Sequence, residues 1–216
     1  MGPQAVQRSP SPGYLAAPRS GRGRGVLVLH AWWGLSEAIK DVCNRLADEG
    51  FVAYAPDMYH GKLEATIEEA EALSSQLSVE SAKADIAEAV NYLLARTGPR
   101  LGVVGFSLGA YFALQLSCDD PQHAEAVVLF YGSGDGDFSR SKAAYLGHFA
   151  ETDPYEPAEN VDWLENALRS AGRPVTFHHY EGTGHWFCEP DRPDAYNEPA
   201  ARLAWERTVA FLKERR

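Results

Sequence analysis

The chain has 216 residues and a formal net charge of −10, and 45% of its residues are hydrophobic, which is enough for the core of one domain. The acidic balance disfavours nucleic acids and anionic membrane surfaces as partners, and we expect neither a transmembrane span nor a signal peptide. Cysteines stand only at positions 43, 118 and 188 and form no Cys-x-x-Cys pair, so we expect reduced thiols and a cytoplasmic location.

Short apolar runs alternate with amphipathic stretches along the chain. An edge strand is expected at 13–18, buried strands at 26–29, 51–55, 101–104, 126–131, 143–149 and 175–180, and helices at 36–49, 66–77, 79–96, 108–117, 161–171 and 199–214. This alternation predicts an α/β fold, with a mostly parallel sheet and helices on both faces. We expect a single domain over 1–216, flexible ranges at 1–12 and 19–25, and no lid domain.

The most specific chemical signal is Gly105-x-Ser107-x-Gly109, which follows a buried strand and precedes a helix. A strand that turns sharply into a helix strains the central residue and crowds the neighbouring backbones, so only small residues fit two positions to either side. The turn also presents the serine hydroxyl at the positive end of the following helix. The pattern predicts Ser107 as a nucleophile, and the alternative is an incidental tight turn.

An acid is expected next, because in this architecture the serine is followed first by the acid and then by the histidine. Asp153 comes directly after a predicted strand, and the carboxyl ends of parallel strands meet at one edge of the sheet. Asp153 is therefore the predicted acid. The alternatives are Glu151, Glu156, the pair Asp135 and Asp137 in an earlier turn, or a purely structural role for Asp153 as a turn cap.

The predicted base is His185, which follows the last predicted strand and a glycine-containing turn that can direct the imidazole back to the serine. His178 and His179 lie inside that strand, where alternation sends one ring inward and one outward, so we expect both to be structural. The histidines lack the His-Glu-x-x-His arrangement and the cysteine spacing of zinc sites. We therefore expect no metal.

A serine nucleophile also needs hydrogen-bond donors for the oxyanion that develops on the substrate. The backbone N–H of Leu108, directly after the serine, is the first candidate, and the loop after the first long strand supplies the second, for which we choose Trp32. Aromatic residues in nearby loops are predicted to form a substrate pocket, or else to pack in the core. These are Trp33, Tyr59, Trp186 and Phe187.

The run His30-Ala31-Trp32-Trp33-Gly34-Leu35, together with 13–16, 56–59, 102–109, Asp153, Gly184-His185 and the closing helix, resembles the dienelactone hydrolases (carboxymethylenebutenolidases) of the α/β-hydrolase superfamily. The matching segments run nearly end to end. The resemblance implies a minimal α/β-hydrolase fold, the same three catalytic positions, no cofactor and hydrolysis of a small ester or lactone. It also favours a monomer.

Three positions depart from the pattern of that family. The usual nucleophile is cysteine, where this chain has Ser107, and the usual glutamate beside it falls at Ala31. The two changes are chemically coherent, because a serine relies on its histidine, whereas an engineered serine would not explain Ala31. The family's carboxylate-binding arginine falls at Glu189, with Arg192 as a distant substitute, so we expect a carboxylate that repels an anionic lactone.

The sequence therefore predicts a hydrolase of small esters or lactones that forms an acyl-enzyme on Ser107. An acyltransferase or perhydrolase would use the same three residues, with another nucleophile in place of water. A binding protein that has kept the fold without catalysis is the third alternative, although such a protein has no need for all three residues.

Overall fold

The computed structural model describes residues 12–215, so the expected flexibility of residues 1–11 lies outside the described part. Residues 19–24 lie in a turn and connector, and Gly25 already begins a strand. The strands are β1 (Gly13–Ala16), β2 (Gly25–Leu29), β3 (Val52–Pro56), β4 (Leu101–Phe106), β5 (Ala124–Phe130), β6 (Ala144–Ala150) and β7 (Val175–Tyr180). The helices are α1 (Glu37–Asp48), α2 (Ile67–Ser75), α3 (Val79–Thr97), α4 (Leu108–Asp119), α5 (Ala158–Ser170) and α6 (Glu198–Glu214).

One seven-stranded sheet, in the order β1-β3-β2-β4-β5-β6-β7, organises the described residues. β1 is antiparallel to β3, and every other neighbouring pair is parallel. Parallel neighbours need a crossover connection, which the helices supply on both faces of the sheet. The predicted α/β-hydrolase fold is thereby confirmed, and within residues 12–215 no lid domain is evident.

The central strands are buried on both faces because their sequences are apolar at every position. In β2, Val26 and Val28 pack into one hydrophobic cluster, whereas Leu27 and Leu29 pack into another. Successive side chains of a strand point to opposite faces, so the two clusters lie on opposite sides of the sheet. No helix of the described residues is long and apolar enough to cross a membrane.

The direction of the chain across the sheet places the Gly105-x-Ser107-x-Gly109 motif at a crevice. From β2 the chain moves outward to β3, and it then returns to place β4 on the other side of β2. Loops that leave two adjacent parallel strands in opposite directions open a crevice at their carboxyl ends, where ligands bind in open α/β sheets. Ser107 stands directly after β4, at this position.

Candidate active site

Ser107 occupies the sharp turn between β4 and α4. Its backbone has φ 49° and ψ −112°, a left-handed φ that a residue with a side chain adopts only under strain. The surrounding backbone holds it there, because the Ser107 amide donates to the carbonyl of Phe130 at 2.9 Å and its own carbonyl accepts from Ala110 at 2.8 Å. The side chain is consequently held half-exposed above the sheet edge.

The two motif glycines are required by the closeness of the backbones. A Cβ at Gly105 would overlap the backbone of Gly109, and a Cβ at Gly109 would overlap the carbonyl group of Leu29. The turn is thus compressed between its own helix and the end of β2. The small residues predicted by the motif are present for this steric reason.

The structure brings Ser107, His185 and Asp153 together, although they come from three separate loops. Ser107 Oγ lies 3.0 Å from His185 Nε2, and His185 Nδ1 lies 2.6 Å from Asp153 Oδ2. The side chains of His185 and Asp153 are 4% and 5% exposed. This arrangement can move a proton from the hydroxyl to the imidazole while the carboxylate orients the ring.

The carboxylates considered as alternatives to Asp153 hold the neighbouring loops. Asp153 Oδ1 accepts from the amides of Tyr155 and Glu156, both at 2.9 Å. Glu156 in turn accepts from the amide and the hydroxyl of Ser133 at 2.6 and 2.8 Å. Glu151 accepts from the amide of Gly182. This hydrogen bond ties the loop after β6, which carries Asp153 (the acid loop), to the loop after β7, which carries His185 (the histidine loop).

The Asp135 and Asp137 turn does not reach the histidine. Both residues are exposed, and Asp137 accepts a hydrogen bond from the Ser139 hydroxyl. Among the described residues, no group of three or more His, Cys, Asp or Glu side chains could hold a metal ion.

Leu108 and Trp32, the predicted oxyanion donors, both carry backbone N–H groups without an acceptor among the described residues. Leu108 is the first residue of α4, so its N–H has no partner within the helix, and no other acceptor for it exists among the described residues. Trp32 lies in the loop after β2. The carbonyl groups of Leu29 and His30, just before Trp32 in the chain, pack against Gly109. The Trp32 amide likewise has no acceptor in the described part of the chain.

His30 fixes that loop, and the sequence analysis missed its role. The residue is fully buried, its Nδ1 lies 2.7 Å from the carbonyl of Ala31, and its Nε2 lies 3.1 Å from the amide of Met58. A carbonyl can only accept and an amide can only donate, so His30 is neutral with its proton on Nδ1. Burial lowers the pKa of His30, in agreement with that state.

A cavity of about 510 Å³ opens beside His185, with Trp33, Tyr155 and Trp186 among its walls. Trp33 and Trp186 were predicted for the pocket, whereas Tyr155 was not. Its ring centroid lies 5.2 Å from that of His185 and 4.9 Å from that of Trp186. Tyr155 could have been found from its place two residues after Asp153.

Tyr59 and Phe187 do not line this cavity, which corrects the sequence expectation. Phe187 is fully buried in the core, because its ring packs against Tyr131 and Tyr180. Tyr59 is 4% exposed, packs against His30 and borders a separate surface cavity. Both residues therefore pack under loops of the site and do not line the cavity beside His185.

Glu189 is buried rather than directed at a substrate, so the expected repulsion of an anionic lactone by this residue is wrong. It is 3% exposed, and Tyr131 donates a hydrogen bond to its Oε1 at 2.7 Å. Burial raises the pKa of Glu189 to about 8 and that of Tyr131 well above its usual range. The Tyr131 ring lies 5.0 Å from that of His185, so this pair supports the imidazole.

Arg192, considered only as a distant substitute, borders the cavity itself. Its guanidinium lies 3.5 Å above the Trp33 ring and donates to the carbonyls of Ala65 and Glu64 at 2.9 and 3.4 Å. These contacts join the histidine loop to the segment before α2 across more than 120 residues of sequence. No local pattern in the sequence indicates them.

Comparisons with known proteins point to a single family. The model of the dienelactone hydrolase family matches residues 12–215. The "Protein usf" of Aquifex pyrophilus is 34% identical over 94% of this chain and 92% of the relative. A "Putative carboxymethylenebutenolidase" of Aquifex aeolicus is 29% identical over 93% and 92%. The crystal structure of a "Putative Dienelactone Hydrolase" from Klebsiella pneumoniae has a TM-score of 0.85 and 26% identity, and the match covers 96% of this chain and 94% of that one.

Proposed function

The chain belongs to the dienelactone hydrolase family, and we propose that it hydrolyses small carboxylic esters or lactones through an acyl-enzyme on Ser107. Membership of this family supports hydrolase activity. The observation that supports an acyl-enzyme on Ser107 is the continuous path from Ser107 Oγ through His185 to Asp153, with contacts of 3.0 and 2.6 Å.

In the first half-reaction Ser107 Oγ attacks the ester carbonyl carbon while His185 Nε2 takes the hydroxyl proton. The oxyanion is met by the amides of Leu108 and Trp32, which have no other acceptor among the described residues. Removal of one such donor in related chemistry costs about 3 kcal/mol of transition-state stabilisation. The acyl–oxygen bond then breaks, and His185 gives its proton to the departing alcohol oxygen.

In the second half-reaction water replaces the alcohol. His185 takes a proton from the water as its oxygen attacks the acyl carbon, and it returns a proton to Ser107 as the carboxylic acid leaves. Asp153 keeps the imidazole in the tautomer whose unprotonated Nε2 faces the serine. No cofactor is needed for either step.

Ser107→Ala tests the proposal. We expect turnover of p-nitrophenyl acetate to fall about a thousandfold or more, because the remaining donors and pocket cannot supply a nucleophile. A fluorophosphonate probe should label the wild type at Ser107 and leave the variant unlabelled. Ser139→Ala, which removes an exposed serine from a neighbouring loop, is the control. Equal turnover or labelling in Ser107→Ala would contradict the proposal.

A further inference from the structure

The cavity beside His185 has one predominantly aromatic wall. Trp33 packs against Trp186 with ring centroids 5.2 Å apart, and Tyr155 packs against Trp186 at 4.9 Å. Trp33 and Trp186 are 3% and 8% exposed, whereas Tyr155 is 44% exposed and stands at the opening. Ile67 at the start of α2, which is 44% exposed, adds an apolar side chain to the lining. Flat apolar groups fit against such a wall, because ring faces and edges give attractive contacts beyond the area that they bury.

The position of the cavity decides which part of an ester enters it. His185 lines the cavity together with Pro154, Tyr155 and Trp186, whereas Ser107 does not. In the proposed reaction His185 protonates the oxygen of the departing alcohol, so that oxygen must lie next to Nε2. A group that extends from this oxygen enters the cavity on the histidine side. In the proposed reaction the cavity is therefore assigned to the alcohol portion of the ester.

The charges around the cavity do not favour an anion. Asp191 and Asp194 line it against the single guanidinium of Arg192, which leaves a formal charge of −1. Both terminal nitrogens of Arg192 already donate to backbone carbonyls, and its plane covers Trp33. The Nε group of Arg192 is buried without a partner among the described residues. A carboxylate bound at Nε is consequently the rival occupant that an experiment must separate.

We propose that this cavity selects an uncharged aromatic alcohol portion, so that the substrates are benzyl-type or aryl-type esters. This inference rests on the proposed esterase function and specifies its substrate class. Under this inference Arg192 is a positioning residue, because it links the segment before α2 to Trp33 and so forms one side of the cavity. It does not bind a substrate carboxylate.

Two isomeric esters test the assignment of the alcohol side. Benzyl acetate and methyl phenylacetate have the same atoms and release alcohols of similar acidity, but they carry the ring on opposite sides of the ester. We expect kcat/KM for benzyl acetate to exceed that for methyl phenylacetate by about tenfold or more, which is the value of burying one aromatic ring. Equal values, or preference for methyl phenylacetate, would overturn the inference.

Charge is tested with 4-(acetoxymethyl)benzoate, which is benzyl acetate with a carboxylate on the ring. We expect it to react about tenfold more slowly than benzyl acetate, because the carboxylate meets Asp191 and Asp194. If the wild type instead prefers the charged ester, the inference is wrong, and loss of that preference in Arg192→Met would identify Arg192 as an anion receptor. If Arg192→Met lowers the ratio of benzyl acetate to methyl acetate turnover without favouring the charged ester, the positioning role is supported.

A matched pair of variants checks that the cavity itself discriminates. Ile67→Glu places a charge in the cavity and should lower the ratio of benzyl acetate to methyl acetate turnover by about tenfold. Leu63→Glu makes the same change at an exposed apolar residue of the same segment that does not line the cavity, and it should leave the ratio unchanged. Equal effects of the two would contradict the inference. Absence of any Ser107-dependent turnover, methyl acetate included, would instead defeat the proposed function, and the inference with it.

Discussion

Glu156 holds the loop that carries Asp153, the proposed catalytic acid. It accepts from the amide and hydroxyl of Ser133 in the loop after β5, while its own amide donates to Asp153. Glu156→Ala removes both hydrogen bonds that the Glu156 side chain makes to Ser133. We expect kcat to fall about tenfold because Asp153 loosens, and stability to fall by about 2 kcal/mol, the usual value of a charge-assisted hydrogen bond.

Ester kinetics and thermal unfolding measure these two effects. Ser133→Ala removes only the hydroxyl contact and should give a smaller loss of both, whereas Glu159→Ala removes an exposed carboxylate from the first turn of α5 and should change neither. Wild-type kcat in Glu156→Ala would show that Asp153 is held without this link.

Some residues of the site are placed by local sequence patterns, whereas others are placed by contacts between distant parts of the chain. Ser107, Asp153 and His185 could be predicted, because a local motif and the order of strands put each at the carboxyl edge of the sheet. The contacts of Tyr131 with Glu189 and of Arg192 with Ala65 join residues 58 and 127 positions apart. Neither contact has a local signal. Phe187 was misplaced because an aromatic residue beside the histidine has the same appearance in sequence whether it lines the pocket or fills the core.

At the scale of the elements, the contact between α4 and β2 sets the position of the nucleophile. A Cβ at Gly109 would overlap the Leu29 carbonyl, and neither backbone can yield without separating the helix from the strand. We expect Gly109→Ala to destabilise the protein by about 3 kcal/mol and to lower activity, because the start of α4 moves away from the crevice.

Gly172→Ala is the contrasting variant, measured in the same thermal unfolding and ester assays. Gly172 has φ 72° and open space around the added methyl, so only backbone strain arises, at a cost of about 1 kcal/mol, with activity retained. A Gly109→Ala variant as stable as Gly172→Ala would argue against the steric account.

The elements themselves were largely predictable, whereas their ends were not. The centres of the elements are marked in the sequence, because β2 is a continuous apolar run buried at every position and α1 buries one stripe of residues at helical spacing. β4, however, runs to Phe106, two residues beyond the predicted end, because Gly105 and Phe106 pair with Leu129 and Phe130 of β5. The end of a strand depends on where its neighbouring strand ends, and the local sequence gives no information about that neighbour.

At the scale of the whole molecule, buried ionisable groups on different elements set the dependence of stability on pH. His30 and His148 are both fully buried and hydrogen-bonded, and burial lowers their pKa values below the usual 6.5. His148 lies between Tyr180 of β7 and Thr208 of α6, at 2.7 and 3.0 Å, and so joins the last strand and helix to β6. Unfolding exposes both rings, which then take up protons below pH 6.5. The stability that these two groups contribute is therefore lost as pH falls below 6.5.

Glu189 acts in the opposite direction. Its pKa is raised from 4.5 to about 8 by burial, so between these values the folded chain keeps a proton that the unfolded chain releases, and stability falls as pH rises. Below pH 6.5 the two histidines outweigh the one carboxyl group, and above pH 6.5 the carboxyl group outweighs the two histidines. From these groups we expect the melting temperature to be highest near pH 6.5.

Two variants test this expectation. Glu189→Gln should remove the decline in melting temperature between pH 6.5 and 8, and His148→Gln should flatten the decline below pH 6.5. Thermal unfolding from pH 5 to 8 measures both slopes, with the exposed Glu181→Gln and the surface His123→Gln as controls. If Glu189→Gln keeps the wild-type slope above pH 6.5, the Glu189 carboxyl is already ionised in the folded protein and does not cause the decline.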